Sequence, residues 1–159
     1  MSQNYTKIVV KSGKDQALKR FHPWVFSGAI KKIYGNVNEG DLVEVYSNKD
    51  EFLGLGHYQI GSIAVRIISF EEVVPEYNFW KSKIESAWNY RKHLGFNDSE
   101  TTNVFRLIHA EGDGLPGLIV DFYNGTAVMQ MHSVGMYLIR DVLVQALKEV
   151  LDEKLKAVY

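Results

Sequence analysis

The segment AEGDGLPGLIVDFYNG, residues 110–125, contains the G-x-G-x-x-G spacing that cradles dinucleotide phosphates in other proteins. That chemistry needs a strand before the glycines and a helix directly after them, because the pyrophosphate lies on the helix N-terminus. Here FRLIH precedes the glycines and is typical of a strand, but the following LIVDFY is typical of a second strand. Pro116 also removes a backbone donor. The segment therefore predicts two strands joined by a tight turn, a second turn at Asn124-Gly125, and no cofactor-binding residue.

A second group of candidate residues is basic and aromatic and lies near the N-terminus. Basic side chains neutralise phosphates and aromatic rings stack on unpaired bases, so the mixture favours single-stranded or looped RNA. The alternative is a solvated surface, with two of the cations at the end of a short helix, where cations are favoured, and the tryptophan in the core. The predicted RNA-binding residues are Lys11, Lys14, Lys19, Arg20, His22 and Trp24.

A third group of polar residues lies on and beside the FRLIH strand and consists of Arg106, His109, Glu111 and Asp113. Strand alternation places Arg106 and Ile108 on one face, and Leu107 and His109 on the other. Such a cluster at a hairpin is a possible substrate cleft. The alternative is that these residues are turn caps and surface charges.

The composition excludes several kinds of site. The chain has 159 residues and no cysteine, so it has no disulfide, no thiolate metal site and no cysteine nucleophile. His57, His93 and His132 are scattered without the spacing of a zinc site, and no metal is predicted. The sequence has neither an apolar run of about 18 residues nor a signal-peptide pattern, so we expect no membrane partner and a cytoplasmic location.

Charge is distributed unevenly, although the formal net charge is only −1. Residues 1–34 carry seven lysines and arginines against Asp15 alone. Residues 35–72 carry seven acidic residues against Lys49 and Arg66. The asymmetry predicts a basic face within the N-terminal region.

The first 73 residues are predicted to form a mostly β domain. KIVVK is typical of a strand, Asp15–Phe21 of a short helix that His22-Pro23 ends, and WVFSGAI of a strand with Gly28 at a bulge or close approach. Three more strands follow at short spacing in GDLVEVYS, FLGLGHY and SIAVRIIS. A barrel is the expected closure, because it removes the sheet edges.

Residues 74–159 have a different pattern. Trp80, Ile84, Ala87 and Trp88 recur with helical spacing, and Gly95 is the expected stop. DSETTN is predicted to be a loop, and three strands of a meander follow it. Ser133 is a potential N-cap for an amphipathic helix over Met136–Leu151. KLKAVY begins a further strand, so we expect the protein to continue beyond this chain.

Two long strings, KSGKDQALKRFHPWVFSGAI and FRLIHAEGDGLPGLIVDFYNGTAVMQMHS, resemble a family of S-adenosylmethionine-dependent methyltransferases that make 5-methylcytosine in large-subunit ribosomal RNA. The resemblance implies an α+β protein. It implies an RNA-binding PUA pseudo-barrel over residues 1–73 and a middle hairpin-containing domain over residues 74–159. A C-terminal Rossmann-like methyltransferase domain would be absent from this chain.

The same resemblance implies ribosomal RNA as partner and S-adenosylmethionine as the cofactor of the parent protein, with none bound by this chain. The family adds a cysteine thiolate to C6 of cytosine, and this chain has no cysteine. We therefore expect no catalytic residue and no methyl transfer here. A homodimer is a further option. The alternative function is a free-standing PUA-type RNA-binding or scaffold protein, which the downstream gene sequence would distinguish.

Overall fold

The computed structural model describes residues 5–96 and 102–159 of the chain. Its internal contacts divide the chain into two compact units. The first contains the residues up to Val74 together with Ser133–Gly135, and the second contains Pro75–His132 and Met136–Tyr159. Both units combine strands with helical segments, which confirms the predicted mixed α+β class.

The first unit is built on one six-stranded curled sheet. Its strands are β1 (Thr6–Val10), β2 (Trp24–Phe26), β3 (Ile30–Tyr34), β4 (Leu42–Tyr46), β5 (Phe52–Tyr58) and β6 (Ile63–Ser69). Their spatial order is β2-β6-β5-β4-β1-β3, with β1 and β4 parallel and the other neighbours antiparallel. Strand β2 therefore forms one edge of the sheet.

Alternate residues of these strands fill one hydrophobic core, as the two-residue period of a strand requires. Val43 and Val45 of β4 and Val65 and Ile67 of β6 point into it, and each is at most 2% exposed. The remaining buried members of this core are Ile8, Val10, Leu18, Val25 and Leu53.

Two glycines of β5 permit a close approach between neighbouring strands. The close approach predicted at Gly28 is not found. A Cβ on Gly56 would lie 2.3 Å from the backbone oxygen of Arg66 in β6, and one on Gly54 would lie 2.9 Å from Ile67. Nothing lies within 4 Å of a Cβ on Gly28. The prediction was wrong because WVFSGAI is not one strand: a 3-10 turn at Ser27–Ala29 separates β2 from β3, and Gly28 lies in that turn.

The short helix predicted over Asp15–Phe21 is confirmed only in part. Only Leu18–Arg20 is helical, as a single 3-10 turn. Phe21 ends it in the left-handed region with φ 62°, and its amide donates to the Leu18 carbonyl. His22 is kept out of the α region by Pro23, so the segment has no room for a full helix.

Among the described residues, the second unit contains a four-stranded sheet, two complete helices and the last three residues of another, whose Val134 and Gly135 are grouped with the first unit. The helices are α1 (Tyr77–His93), α2 (Val134–Leu138) and α3 (Arg140–Leu151), and the strands are β7 (Val104–His109), β8 (Leu118–Tyr123), β9 (Thr126–Met131) and β10 (Ala157–Val158). The strand order is β10-β9-β8-β7. Strands β7, β8 and β9 are the predicted meander, and β10 pairs parallel to β9.

Local patterns predicted much of this unit correctly. Trp80, Ile84, Ala87 and Trp88 form the buried face of α1. Strand β8 follows the GDGLPG glycines, so the helix that a phosphate site requires is absent from this place. The residues Asn124-Gly125 join β8 to β9 with both φ angles positive, as in a tight hairpin turn.

Two predictions about the second unit need correction. The helix expected over Met136–Leu151 is interrupted at Ile139, whose φ of −100° and ψ of 14° separate α2 from α3. In β7 the register shifts between Arg106 and Ile108, so Leu107 and Ile108 are both buried and the predicted alternation is broken. Residues 98–101 of the predicted DSETTN loop lie outside the described residues.

Candidate nucleic-acid interface

Four of the nine lysines and arginines of the first unit lie on the segment between β1 and β2. Lys11, Lys14, Lys19 and Arg20 are all exposed. The segment is compact, because the Lys14 amide donates to the Lys11 carbonyl at 3.0 Å and the Lys19 amide to the Asp15 carbonyl at 3.0 Å. These bonds and the 3-10 turn at Leu18–Arg20 order the short segment that carries all four cations.

Lys19 is largely neutralised by neighbouring carboxylates. Its Nζ lies 2.8 Å from Glu51 and 2.9 Å from Asp15. The hydrogen bond to Glu51, followed by that to Asp15, raises the pKa of Lys19. The ammonium therefore fastens the turn to the start of β5, and it is less available to a phosphate than an unpaired cation.

Lys14 and Arg20 differ from Lys19 in this respect. Neither side chain forms a hydrogen bond or an ion pair with another of the residues that the structure describes. The Lys11 ammonium donates to the Gly28 carbonyl at 2.8 Å, which leaves its charge uncompensated. Three positive charges without a carboxylate partner among the described residues thus remain on this segment.

Aromatic side chains line the adjacent strand edge. The rings of His22 and Trp24 are 5.6 Å apart and nearly perpendicular, and those of Trp24 and Phe26 are 6.3 Å apart at 90°. Val25 between them points into the core, so Trp24 and Phe26 lie on the opposite face of β2. Trp24 is half-buried, and Phe26 is 49% exposed.

Sequence patterns did not indicate three neighbours of this surface. Phe21 is 72% exposed, and its ring packs edge-on against Phe70 at 5.2 Å. Phe26 was placed inside a strand with no role. Arg66 of β6 pairs in register with Trp24, and its Nε and Nη1 are buried without a hydrogen-bond partner among the described residues. The one available signal for Arg66 was a single charge inside the apolar run SIAVRIIS.

The cluster predicted at the hairpin of the second unit is divided between two ion pairs. Arg106 donates two hydrogen bonds to Asp121, at 2.8 and 3.1 Å. Arg91 of α1 donates two to Asp113, at 2.5 and 2.7 Å, and both of these side chains are 8% exposed.

Asp113 stabilises the turn after β7. Its carboxylate also accepts the His109 amide at 2.6 Å, so it ties α1 to the turn. His109 itself is exposed, and Glu111 is half-buried. A substrate cleft at this hairpin stays a prediction, and the two ion pairs argue that Arg106 and Asp113 support the fold.

No group of three or more histidine, aspartate or glutamate side chains in residues 5–96 and 102–159 could hold a metal ion. No helix within the same ranges is long and apolar enough to cross a membrane.

The chain is similar to known proteins in both sequence and fold. Residues 8–70 match the family model of the PUA-like domain. The protein named ribosomal RNA large subunit methyltransferase I from Alteromonas mediterranea is 36% identical over 149 residues, and its namesake from Photobacterium profundum is 40% identical over 145 residues. These alignments cover 92% and 89% of this chain, but only 37% and 36% of the relatives.

A solved structure from Streptococcus mutans, described as a SAM-dependent methyltransferase, matches with a TM-score of 0.81 and 26% identity. A methyltransferase structure in complex with SAH matches with the same score and identity. Each alignment covers 95% of this chain and 39% of the solved one. The chain therefore spans a little over a third of the length of the proteins that it resembles.

Proposed function

We propose that this chain is the RNA-engaging part of an enzyme similar to the ribosomal RNA large subunit methyltransferase I proteins, because residues 8–70 match the PUA-like domain and the chain is similar to those proteins in sequence. It holds the ribosomal RNA substrate, and the methyl transfer itself takes place outside the described residues. The observation that carries this proposal is the pairing of available cations with an aromatic strand edge in the PUA-like region.

Each feature of that surface suits RNA. Lys14 and Arg20 are exposed and unpaired among the described residues, so they can neutralise backbone phosphates and release counterions. Trp24 and Phe26 offer ring surfaces on which unpaired bases stack. Lys11 and His22 flank the same edge, whereas Lys19 orders the turn through its two carboxylate partners.

The proposed reaction of the whole protein is methyl transfer from S-adenosylmethionine to C5 of a cytosine. This finer assignment rests on the family resemblance of the two quoted strings. Carbon-5 of cytosine becomes nucleophilic only after a group adds to C6, and this chain has no cysteine to add. We expect the chain alone to transfer no methyl group to unmodified ribosomal RNA, and the full-length protein to transfer one to a cytosine.

The RNA-binding part of the proposal is tested by charge reversal. We expect Lys14→Glu/Arg20→Glu to weaken binding of a large-subunit ribosomal RNA fragment. The slope of log K against log salt should flatten by roughly two, since about one unit is lost with each phosphate contact. The matched control Lys148→Glu/Lys156→Glu changes the net charge equally at exposed positions of the second unit. An unchanged slope in the folded test variant would refute the assignment.

A further inference from the structure

Lys19 is shared between two carboxylates that differ in exposure. Its Nζ lies 2.9 Å from Asp15 and 2.8 Å from Glu51. The side chain of Asp15 is 10% exposed, whereas that of Glu51 is 52% exposed. The Asp15 carbonyl also accepts the Lys19 amide at 3.0 Å. Asp15 is therefore a fixed partner within the segment between β1 and β2, and Glu51 is a partner that water and other ligands reach.

The turn between β4 and β5 holds the Glu51 carboxylate beside Lys19. Ser47 is 1% exposed, and its hydroxyl accepts the amides of Lys49 at 3.1 Å and of Glu51 at 3.2 Å. The same hydroxyl donates to Glu51 Oε2 at 3.3 Å. The hydrogen bond from Lys19, followed by its charge and by the bond from Ser47, lowers the pKa of Glu51. Glu51 is therefore anionic at neutral pH.

The ion pair of Lys19 with Glu51 is open to exchange. Exposed lysine–carboxylate pairs are weak, because water and salt screen both charges. The side chain of Lys19 is 42% exposed, so a second anion can approach its ammonium. Each phosphate of an RNA backbone carries one negative charge, as Glu51 does. A phosphate can therefore replace Glu51 without leaving Lys19 unpaired.

The position of Lys19 brings RNA phosphates to this pair. Lys19 and Arg20 are consecutive residues of one 3-10 turn, and Lys14 lies on the same short segment. An RNA backbone that is bound to Arg20 therefore passes close to Lys19. Glu51 opposes this approach in two ways, because it repels the phosphates and occupies the ammonium of Lys19.

We propose that Glu51 masks Lys19 and thereby limits the affinity of this chain for RNA, and that a backbone phosphate displaces Glu51 when RNA binds. This inference rests on the RNA-binding function proposed above. Lys19 is then a phosphate contact that forms only on displacement of Glu51, whereas Lys14 and Arg20 are available in the free protein. Glu51 sets how many cations of the segment act on RNA.

The test is a double-mutant cycle on Glu51 and Lys19. Glu51→Gln removes the negative charge and keeps the shape of the side chain. Lys19→Gln removes the cation and keeps an amide donor for the buried Asp15. Binding of a large-subunit ribosomal RNA fragment is measured by fluorescence anisotropy at several salt concentrations. The matched control is Glu72→Gln, which removes an equal charge at another exposed position of the first unit.

We expect Glu51→Gln to strengthen RNA binding by up to about fivefold, the most that an exposed ion pair is worth. The slope of log K against log salt should steepen by roughly one unit, because one more cation contacts a phosphate without competition. In the Lys19→Gln background, Glu51→Gln should change affinity and slope no more than Glu72→Gln does in the wild type.

Three results would contradict the masking of Lys19. An equal gain from Glu51→Gln in both backgrounds would reduce Glu51 to a general repulsive charge. Weaker RNA binding by Glu51→Gln would show that the ion pair only orders the segment. An unchanged salt slope in Glu51→Gln would show that no further cation becomes available. Failure of the wild-type chain to bind the RNA fragment at low salt would instead refute the proposed RNA-binding function.

Discussion

His57 should make the stability of this protein depend on pH between about pH 7 and about pH 5. It lies in β5, and its side chain is 3% exposed. Within the same unit, a Cβ on Gly135 would lie only 2.2 Å from its Cγ, so the ring is tightly enclosed. Burial lowers the pKa of His57 from 6.5 to about 4, because the charged imidazolium loses its hydration.

The sign and size of the effect follow from proton linkage. Below pH 6.5 the unfolded chain binds a proton at His57, whereas the folded protein does not bind one until the pH approaches 4. Stability is therefore lost as the pH falls through this window. At about 1.4 kcal/mol per pH unit the full loss is roughly 3 kcal/mol, of which about 2 kcal/mol falls between pH 7 and pH 5.

The assay is urea unfolding, monitored by circular dichroism at several pH values in that range. His57→Gln removes the titrating group, so its free energy of unfolding should vary much less with pH. His93→Gln, at an exposed position, should keep the wild-type dependence. Most carboxylates titrate below this range. A flat wild-type profile, or an unchanged slope in His57→Gln, would show that the imidazole is not desolvated as the fold requires.

Three other predictions concern single positions. Gly56→Ala should lower the free energy of unfolding by about 3 kcal/mol, because its Cβ would lie 2.3 Å from a carbonyl oxygen of β6; Gly28→Ala, with open space, should be nearly neutral in the same urea assay. Arg91→Met should cost about 3 kcal/mol, since it leaves a buried carboxylate unpaired, and a loss below about 1 kcal/mol would contradict this. Lys19→Met should weaken RNA binding less than Arg20→Met in a filter-binding titration, because only Lys19 is already ion-paired; the reverse order would contradict the interface as described.

Local sequence patterns predicted the elements whose buried residues recur with one period. Trp80 and Ile84 marked α1, and the Asn124-Gly125 turn marked the β8–β9 hairpin. Patterns failed where short segments change direction within a few residues. WVFSGAI has strand propensity throughout, yet Ser27–Ala29 turn the chain so that β2 and β3 reach opposite edges of the sheet.

The candidate site shows the same division. The basic and aromatic residues between Lys11 and Trp24 could be grouped from the sequence alone, because they are neighbours in the chain. Sequence could not tell which of those cations is available. Glu51, which forms an ion pair with Lys19, is 32 residues away along the chain. The two residues meet only because the strands of the sheet pair with one another.

The sequence by itself thus determined most of this protein's strands, its long helix and its concentration of positive charge, since these depend on residues close together in the chain. Only the tertiary structure decided that Asp113 forms an ion pair with Arg91 and that the edge of β2 borders a cavity. Ion pairs and cavities depend on distances between segments that are far apart in sequence. Those distances are set by packing of the whole core, which no local pattern encodes.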